Sequence, residues 1–286
     1  MKQLMIGNEA IARGAFEAGA TVATAYPGTP STEILENISK YKGVIKAEWA
    51  PNEKVALESV IGASIAGARA LAAMKHVGLN VAADPFFTFA YMGVSGGAVV
   101  ITADEPGQFS SQNEQDIRHI ARLAYIPVLE PASPAEAYTF YLEAMKLSRK
   151  RKMPVILRMT THVCHGKEKV SFAGWTPRPI GSVPAFDSSA GPSIPLTTRA
   201  LDMKRRAIAR LAEVAQETDG SPLHELREGN DPSKGVITAD EGAKMKAAHE
   251  AVALVVEVDD FAPEALSPIY KKHTEQKQAS PDRAAS

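Results

Sequence analysis

The sequence has a single cysteine, Cys164, among 286 residues. A disulfide within the chain is therefore excluded, and so little cysteine is typical of proteins from a reducing compartment such as the cytoplasm. An iron–sulfur cluster held by this chain alone is excluded as well, because such clusters need about four thiolates. If the protein passes electrons to clusters of this kind, other chains or domains must hold them.

A charge imbalance and a long apolar run are both lacking. The chain carries 32 Lys and Arg against 33 Asp and Glu, for a net charge of −1. Near-neutrality gives no electrostatic argument for binding nucleic acid or an anionic membrane. No apolar run is long enough to span a bilayer. We therefore expect a globular, cytoplasmic protein with neither nucleic acid nor membrane among its partners.

Short β-like runs alternate with helical runs from Met1 to about Val170. This alternation predicts an α/β fold in which a mainly parallel sheet carries helices on both faces. The clearest helix start is Ser133, where Pro134 at the first position and Glu136 complete a capping box. The predicted strands are 21–25, 44–49, 98–102 and 155–159, and the other predicted helices are 10–18, 32–39, 52–67 and 112–123.

The composition changes after Phe172, where prolines, glycines and serines accumulate. We expect an α/β domain over 1–172, a Pro/Gly/Ser-rich linker over 173–198, a small partial α/β unit over 199–262 and a polar tail over 263–286. The small unit would contain an amphipathic helix at 198–215 and two strands, 236–238 and 252–258, separated by a helix at 240–250. About 60 residues form only a marginal independent core.

The first candidate site is the pair Asn52-Glu53. Asn52 is a good N-cap, and Glu53 takes the first helical position, where a carboxylate meets the positive end of the helix dipole. The pattern alone favours a structural role for Glu53 over a catalytic one. Small side chains along the following stretch permit close packing against a sheet or a partner helix. They are Gly62, Ala63, Ala66, Gly67, Ala68 and Ala70.

The second candidate is the loop 26–32, which follows a predicted strand and precedes a predicted helix. Open α/β sheets bind ligands at the carboxyl ends of their strands, so the loop is well placed. The glycine-rich phosphate-binding patterns are absent. The pattern favours a turn that ends with Ser31 or Thr32 as an N-cap, although Thr29 could offer its hydroxyl to a ligand.

The third candidate is the polar loop 103–118, for which a solvated loop and a ligand site are equally good interpretations. Arg118 could hold a carboxylate through two parallel hydrogen bonds. A fourth group, His162, Cys164 and His165, lacks a fourth ligand and a recognisable metal-site spacing. We expect no metal site there, and no nucleophilic role for Cys164.

Six ordered motifs between Gly7 and His165 carry a resemblance to a known family. The chain resembles the alpha subunit of indolepyruvate ferredoxin oxidoreductase, a thiamine-diphosphate-dependent 2-oxoacid:ferredoxin oxidoreductase, over the length of that family's pyrimidine-binding domain. A weaker likeness continues from Leu201 to Ala239. The six motifs are GNEAIARGAFEAG, YPGTPSTEI, NEKVALESVIGASIAGARAL, MKHVGLNVAADP, ADEPGQFSSQNEQDIRH and PVILRMTTHVCH.

The resemblance implies roles for four residues. Glu53 would lie against ring nitrogen N1′ of the cofactor's aminopyrimidine and activate it, and Asn52 beside it would also contribute to cofactor binding. Thr29 would lie near substrate or cofactor, and Arg118 would bind the substrate carboxylate. In this family a 2-oxoacid is oxidatively decarboxylated, coenzyme A takes the acyl group, and electrons pass through iron–sulfur clusters to ferredoxin. An aryl side chain on the substrate, as in indolepyruvate, is implied by the family alone.

Two parts of that family's long subunit have no counterpart in the sequence. These are the domain whose Gly-Asp motif and downstream Asn hold the metal and diphosphate, and the cysteine-rich cluster motifs. We expect thiamine diphosphate to be shared with a partner chain in a homo- or hetero-oligomer, with magnesium and iron–sulfur clusters only on partner chains. The isolated chain would then be inactive. The other interpretation is an inactive or truncated relative that acts as a binding or assembly subunit.

Overall fold

The structure is a computed structural model that describes residues 1–108, 110–174, 186, 194–219 and 221–223. Contacts divide the chain into two compact units, Met1–Thr218 and Asp219–Ser286. Most of the expected linker, the two strands and the helix expected between 236 and 258, and the polar tail lie outside the described residues. The elements below all belong to the first unit.

The strands and helices alternate along the chain as the sequence predicts. The strands are β1 (Lys2–Ile6), β2 (Val22–Ala25), β3 (Lys46–Trp49), β4 (Arg69–Lys75), β5 (Gly97–Asp104), β6 (Val128–Leu129), β7 (Val155–Thr160) and β8 (Lys167–Ser171). The helices are α1 (Gly7–Glu17), α2 (Thr32–Ile38), α3 (Glu53–Ile65), α4 (His76–Val81), α5 (Ala83–Met92), α6 (Ile117–Ala124), α7 (Pro134–Arg151), α8 (Thr161–His165) and α9 (Thr197–Thr218).

The central sheet has six parallel strands in the order β3-β2-β4-β5-β7-β6, and β1 pairs antiparallel with β8 in a separate two-stranded sheet. Every residue of β5 is buried, as expected for a parallel strand covered on both faces. Val100 packs with residues of α3, α5 and α6. Val99 and Ile101 point to the opposite face and are equally buried, on the side where α7 packs against β5 and β7. The predicted α/β fold with a mainly parallel sheet is confirmed.

The strand β4 is missing from the predicted strands, because the run of small residues after the predicted helix 52–67 was interpreted only as a close-packing surface. The helix ends at Ile65, and Gly67 has a φ of 93°, a left-handed conformation that glycine adopts without a steric penalty. Ala70 instead pairs with Val22 and Ala98 between two parallel strands. Alanine favours helix by propensity, so this alanine-rich run gives no strand signal, and only its burial in the sheet explains its conformation.

The starts of helices α7 and α6 can be compared with the starts that the sequence predicts. Ser133 caps α7, accepting a hydrogen bond on Oγ from the Glu136 backbone N–H at 3.3 Å. Helix α6 starts at Ile117, five residues later than the predicted start at 112, because Asp116 caps it by accepting a hydrogen bond from the Arg118 backbone N–H. The preceding polar residues therefore remain a loop at the end of β5.

Helix α9 lies with the sheet domain, whereas the expected boundaries assigned its residues to the following small unit. It packs against α5, and Met203, Ala207 and Val214 are buried. Arg151 at the end of α7 donates a hydrogen bond from Nε to Glu217 of α9 at 2.9 Å. The first compact unit accordingly runs to Thr218. Among the described helices, none combines the length and apolar character that a bilayer crossing requires.

Candidate functional site

The candidate site lies where the central parallel strands end. The loop 26–31 follows β2, Glu53 begins the helix that follows β3, Lys75 is the last residue of β4, and Glu105 follows β5. Because parallel strands present their carboxyl ends at one edge of a sheet, the topology places these segments together. This is the edge at which open α/β sheets bind ligands.

Glu53 is held at the first position of α3 by its neighbour. Asn52 is the N-cap, and its Oδ1 accepts a hydrogen bond from the backbone N–H of Val55 at 3.0 Å, as the sequence predicts. Glu53 is only 8% exposed. Within the part of the chain that the structure describes, its carboxyl has neither a hydrogen-bond nor an ion-pair partner. The oxygens of this carboxyl are therefore available to accept a hydrogen bond from a ligand.

Gly78 of α4 determines where that carboxyl can lie. A Cβ added to Gly78 would come within 2.5 Å of Oε1 and 2.9 Å of Cδ of Glu53. The carboxyl therefore lies directly against the glycine backbone, and the side chain of any larger residue at this position would clash with it. The sequence alone gives no sign of this contact, although the glycine stands inside the motif MKHVGLNVAADP.

Replacing Asn52 with alanine removes the cap that fixes the start of α3. We expect the free energy of unfolding to fall by about 1 kcal/mol, the usual cost of losing an N-cap side chain. Urea denaturation measures the change, and Asn52→Asp is the control, because aspartate keeps the capping oxygen. Equal stability of the alanine and aspartate variants would contradict the capping role.

The loop 26–32 is closed by its own hydroxyls. The Ser31 hydroxyl donates to the Gly28 carbonyl at 3.0 Å, and the Gly28 backbone N–H donates to the Thr32 hydroxyl at 2.9 Å. Ser31 occupies the N-cap position of α2 without a side-chain capping bond. Thr29 is exposed, and its hydroxyl has no partner among the described residues. The hydroxyls that the turn needs are thus Ser31 and Thr32, which leaves Thr29 available to a ligand.

A buried ion pair joins β4 to the loop after β5. Nζ of Lys75 lies 3.5 Å from Oε2 of Glu105, which is fully buried. The hydroxyls of Ser110, at 2.6 Å, and of Ser111 also donate to this carboxylate. Burial by itself raises the pKa of Glu105, but the two hydroxyls and the ammonium outweigh it and hold the pKa below its usual range.

This depressed pKa makes a prediction about acid stability. The ionised Glu105 stabilises the folded state above its ordinary pKa, 4.5, and that stabilisation is lost as pH falls through the lower folded pKa. In Glu105→Gln we expect the free energy of unfolding to be lower near neutral pH and to decline less steeply in acid. Urea denaturation of both proteins between about pH 7 and pH 3 measures how the free energy of unfolding of each depends on pH. Parallel curves for variant and wild type would contradict the assignment.

The structure pairs Arg118 with two acids of its own chain. Its guanidinium donates to Asp116 from Nη2 at 2.6 Å and from Nε at 2.9 and 3.0 Å, and Nη1 lies 3.4 Å from Glu130. These hydrogen bonds hold the pKa of Asp116 at about 2. The Arg118 side chain is 54% exposed. No contact within the described residues brings it to Thr29, Asn52 or Glu53, so its role with a substrate stays a prediction.

Buried polar groups also form hydrogen bonds at this edge of the sheet. Asp104 at the end of β5 accepts a hydrogen bond from Nε of Arg158 at 2.7 Å, yet burial raises its pKa above the usual range. His76, fully buried at the start of α4, has Nε2 3.1 Å from the Asn113 carbonyl. This contact ties the loop after β5 to α4.

The fourth group of the sequence lies in α8. Cys164 is fully buried, and burial raises the pKa of its thiol. Nε2 of His165 lies 3.7 Å from Oε2 of Glu33. Among the described residues, no group of three His, Cys, Asp or Glu side chains is arranged to hold a metal ion.

Residues 13–203 match the family model described as pyruvate flavodoxin/ferredoxin oxidoreductase, thiamine diP-bdg. The chain is 43% identical over 245 residues to indolepyruvate oxidoreductase subunit IorA of Methanothermobacter thermautotrophicus, a match that covers 85% of this chain and 39% of that protein. It is 31% identical over 202 residues to 2-oxoglutarate synthase subunit KorA of Archaeoglobus fulgidus, covering 66% and 55%. The chain thus spans about two fifths of the length of its IorA relative.

A solved structure has a similar fold. It is 2-oxoglutarate:ferredoxin oxidoreductase from Magnetococcus marinus, with 2-oxoglutarate, coenzyme A and succinyl-CoA bound. The TM-score is 0.61 at 16% sequence identity, and the match covers 75% of this chain and 45% of the other. At this identity the likeness concerns the fold.

Proposed function

Because this chain belongs to the pyruvate flavodoxin/ferredoxin oxidoreductase family of thiamine diphosphate-binding domains, we propose that it activates the aminopyrimidine ring of thiamine diphosphate in a 2-oxoacid:ferredoxin oxidoreductase. The substrate class that we propose is the arylpyruvates, with indolepyruvate as the first choice. Support comes from IorA relatives with 39 to 43% identity.

One observation carries the proposal: Glu53 is a buried residue at the front of α3, and its carboxyl lies against Gly78 without a partner among the described residues. A ring nitrogen that carries a proton would give this carboxyl the hydrogen-bond partner that the described residues do not supply. The residues present therefore fit the aminopyrimidine half of the cofactor. When bound, thiamine diphosphate supplies the nucleophilic carbon and the electron sink that decarboxylation of a 2-oxoacid needs.

The chain's own residues then have defined tasks. Glu53 holds and exchanges a proton at N1′, which is the acid–base work that a positioned carboxyl performs. Asn52 fixes the helix start that positions it. Thr29, exposed on the neighbouring loop, would offer its hydroxyl to substrate or cofactor. Arg118 would reach the substrate carboxylate only by giving up contacts with Asp116 and Glu130.

We also propose that other chains complete the enzyme in a homo- or hetero-oligomer in the cytoplasm. A partner would bind the diphosphate and its magnesium ion, and a cluster-bearing subunit or ferredoxin would accept the electrons. The single cysteine supports this division, because a cluster needs about four thiolates. Coenzyme A would take the acyl group. The isolated chain is then expected to be inactive.

The test is an assay of the assembled enzyme. Purified with chains that carry the diphosphate-binding domain and the clusters, the enzyme should reduce a dye when a 2-oxoacid, coenzyme A and thiamine diphosphate are all present. Arylpyruvates should be turned over faster than 2-oxoglutarate. An assembled complex that binds its partners but oxidises no 2-oxoacid would instead support the binding or assembly role.

A further inference from the structure

Lys75 places a cation next to the proposed site. It is the last residue of β4, and its side chain is 15% exposed. Its methylene carbons lie against the loop after β2, since a Cβ added to Gly28 would come within 3.0 Å of Lys75 Cδ. Three residues further on, Gly78 touches the Glu53 carboxyl. The first turn of α4 therefore connects the lysine to the carboxyl.

The ammonium of Lys75 has unused donors. An ammonium carries three N–H groups, and the one partner of Nζ within the described residues is Glu105 at 3.5 Å. At this distance the contact is a long hydrogen bond that uses one of the three donors, since the common N–H···O range is about 2.7–3.2 Å. Glu105 already accepts the hydroxyls of Ser110 and Ser111. Two of the three N–H groups therefore have no partner among the described residues, and they can donate to a ligand anion from a side chain that is only 15% exposed.

Arg118, the cation suggested by the sequence, is in the opposite situation. Its guanidinium makes three hydrogen bonds to Asp116 and a longer contact to Glu130, and its side chain is 54% exposed. Two carboxylates already neutralise it. A substrate carboxylate would have to displace one of them and compete with water, whereas at Lys75 it would find donors without a partner in the described part of the chain, on a side chain that is only 15% exposed.

We infer that Lys75 binds the carboxylate of the 2-oxoacid substrate, and that Glu105 is a positioning residue that keeps the ammonium at the end of β4. This inference rests on the proposed function. It places the substrate carboxylate between the loop 26–31 and the front of α4, with Glu53 on the same side of the sheet edge.

The test compares Lys75→Met with Lys46→Met in the complete enzyme. Methionine keeps much of the packing of the lysine stem, and Lys46 is a surface lysine, 66% exposed, paired with Glu48. We expect Lys75→Met to raise the KM for the 2-oxoacid about 10- to 100-fold, the loss typical of one charged hydrogen bond. The Kd of thiamine diphosphate should stay unchanged. Lys46→Met should leave both constants as in wild type.

Two inhibitors of similar shape, one charged and one neutral, test whether Lys75 recognises the negative charge of a carboxylate. Wild type should bind 3-phenylpropanoate more tightly than the neutral 3-phenylpropanamide, and Lys75→Met should lose that preference, while Lys75→Arg retains part of it. In Lys75→Met the buried Glu105 carboxylate loses its ion-pair partner. If that variant unfolds, the same inhibitors are compared in the double variant Lys75→Met/Glu105→Gln, which removes this charge as well.

Two results would overturn the inference alone: an active Lys75→Met enzyme with an unchanged KM, or loss of the carboxylate preference in Arg118→Gln but not in Lys75→Met. A wild-type complex that oxidises no 2-oxoacid would overturn the proposed function, and the inference with it.

Discussion

Replacing Glu53 with glutamine is expected to lower turnover of the assembled enzyme by about 10²- to 10⁴-fold, the usual contribution of one general acid–base group. Glutamine matches glutamate in size and still forms hydrogen bonds, but it cannot exchange a proton at N1′. The side chain has no partner within the described residues, so its replacement should leave the melting temperature nearly unchanged. Steady-state dye reduction and thermal melting measure the two effects.

Glu58→Gln is the matched control for this variant. Glu58 lies on the same helix, α3, and is exposed. The identical chemical change there should leave turnover as in wild type. A Glu53→Gln enzyme with full turnover, or an equal loss in both variants, would show that Glu53 has no acid–base role.

Replacing Gly78 with alanine should lower turnover by displacing the Glu53 carboxyl, although Glu53 itself is unchanged. The added Cβ would lie 2.5 Å from Oε1 of Glu53, so the flexible carboxyl must move aside. A displacement of about 1 Å can lower a catalytic rate by about 100-fold, and we expect a loss of that order. The fold should survive, since alanine inside a helix is more stable than glycine by roughly 0.5–1 kcal/mol.

Gly62→Ala is the control for this change, because a Cβ there would meet nothing within 4 Å. Both variants replace a helical glycine with alanine, and both should melt at or above the wild-type temperature. We expect full turnover in Gly62→Ala and a large loss in Gly78→Ala. Full turnover in Gly78→Ala would mean that the position of the carboxyl against α4 is unimportant.

Local signals in the sequence predicted the parts of the fold that depend on neighbouring residues. Ser133 and Asn52 cap their helices as predicted, because a cap needs only a side chain and the next helical turn. The buried run 98–102 was recognised as a strand, since a parallel strand buried on both faces is continuously apolar. By contrast, the alanines of β4 carry no strand signal of their own, so that strand was missed.

The site was predicted less completely, because its remaining features depend on contacts between distant segments. Glu53 was singled out by its place in a motif, but the approach of Gly78 to its carboxyl joins residues 25 positions apart. Lys75 stands in a matched motif and gave no sign of its pairing with Glu105. Arg118 was chosen for its chemistry, whereas its environment of two acids became visible only in the structure.

The most direct measurement is the rate at which the C2 proton of bound thiamine diphosphate exchanges with solvent deuterium, followed by NMR after rapid quenching. It needs no substrate and no electron acceptor, so it isolates what the glutamate does to the ring. Exchange should be fast in the assembled wild-type enzyme and at least about 100-fold slower in Glu53→Gln. Equally fast exchange in both proteins, with the cofactor fully bound, would mean that the ring is activated by some other group.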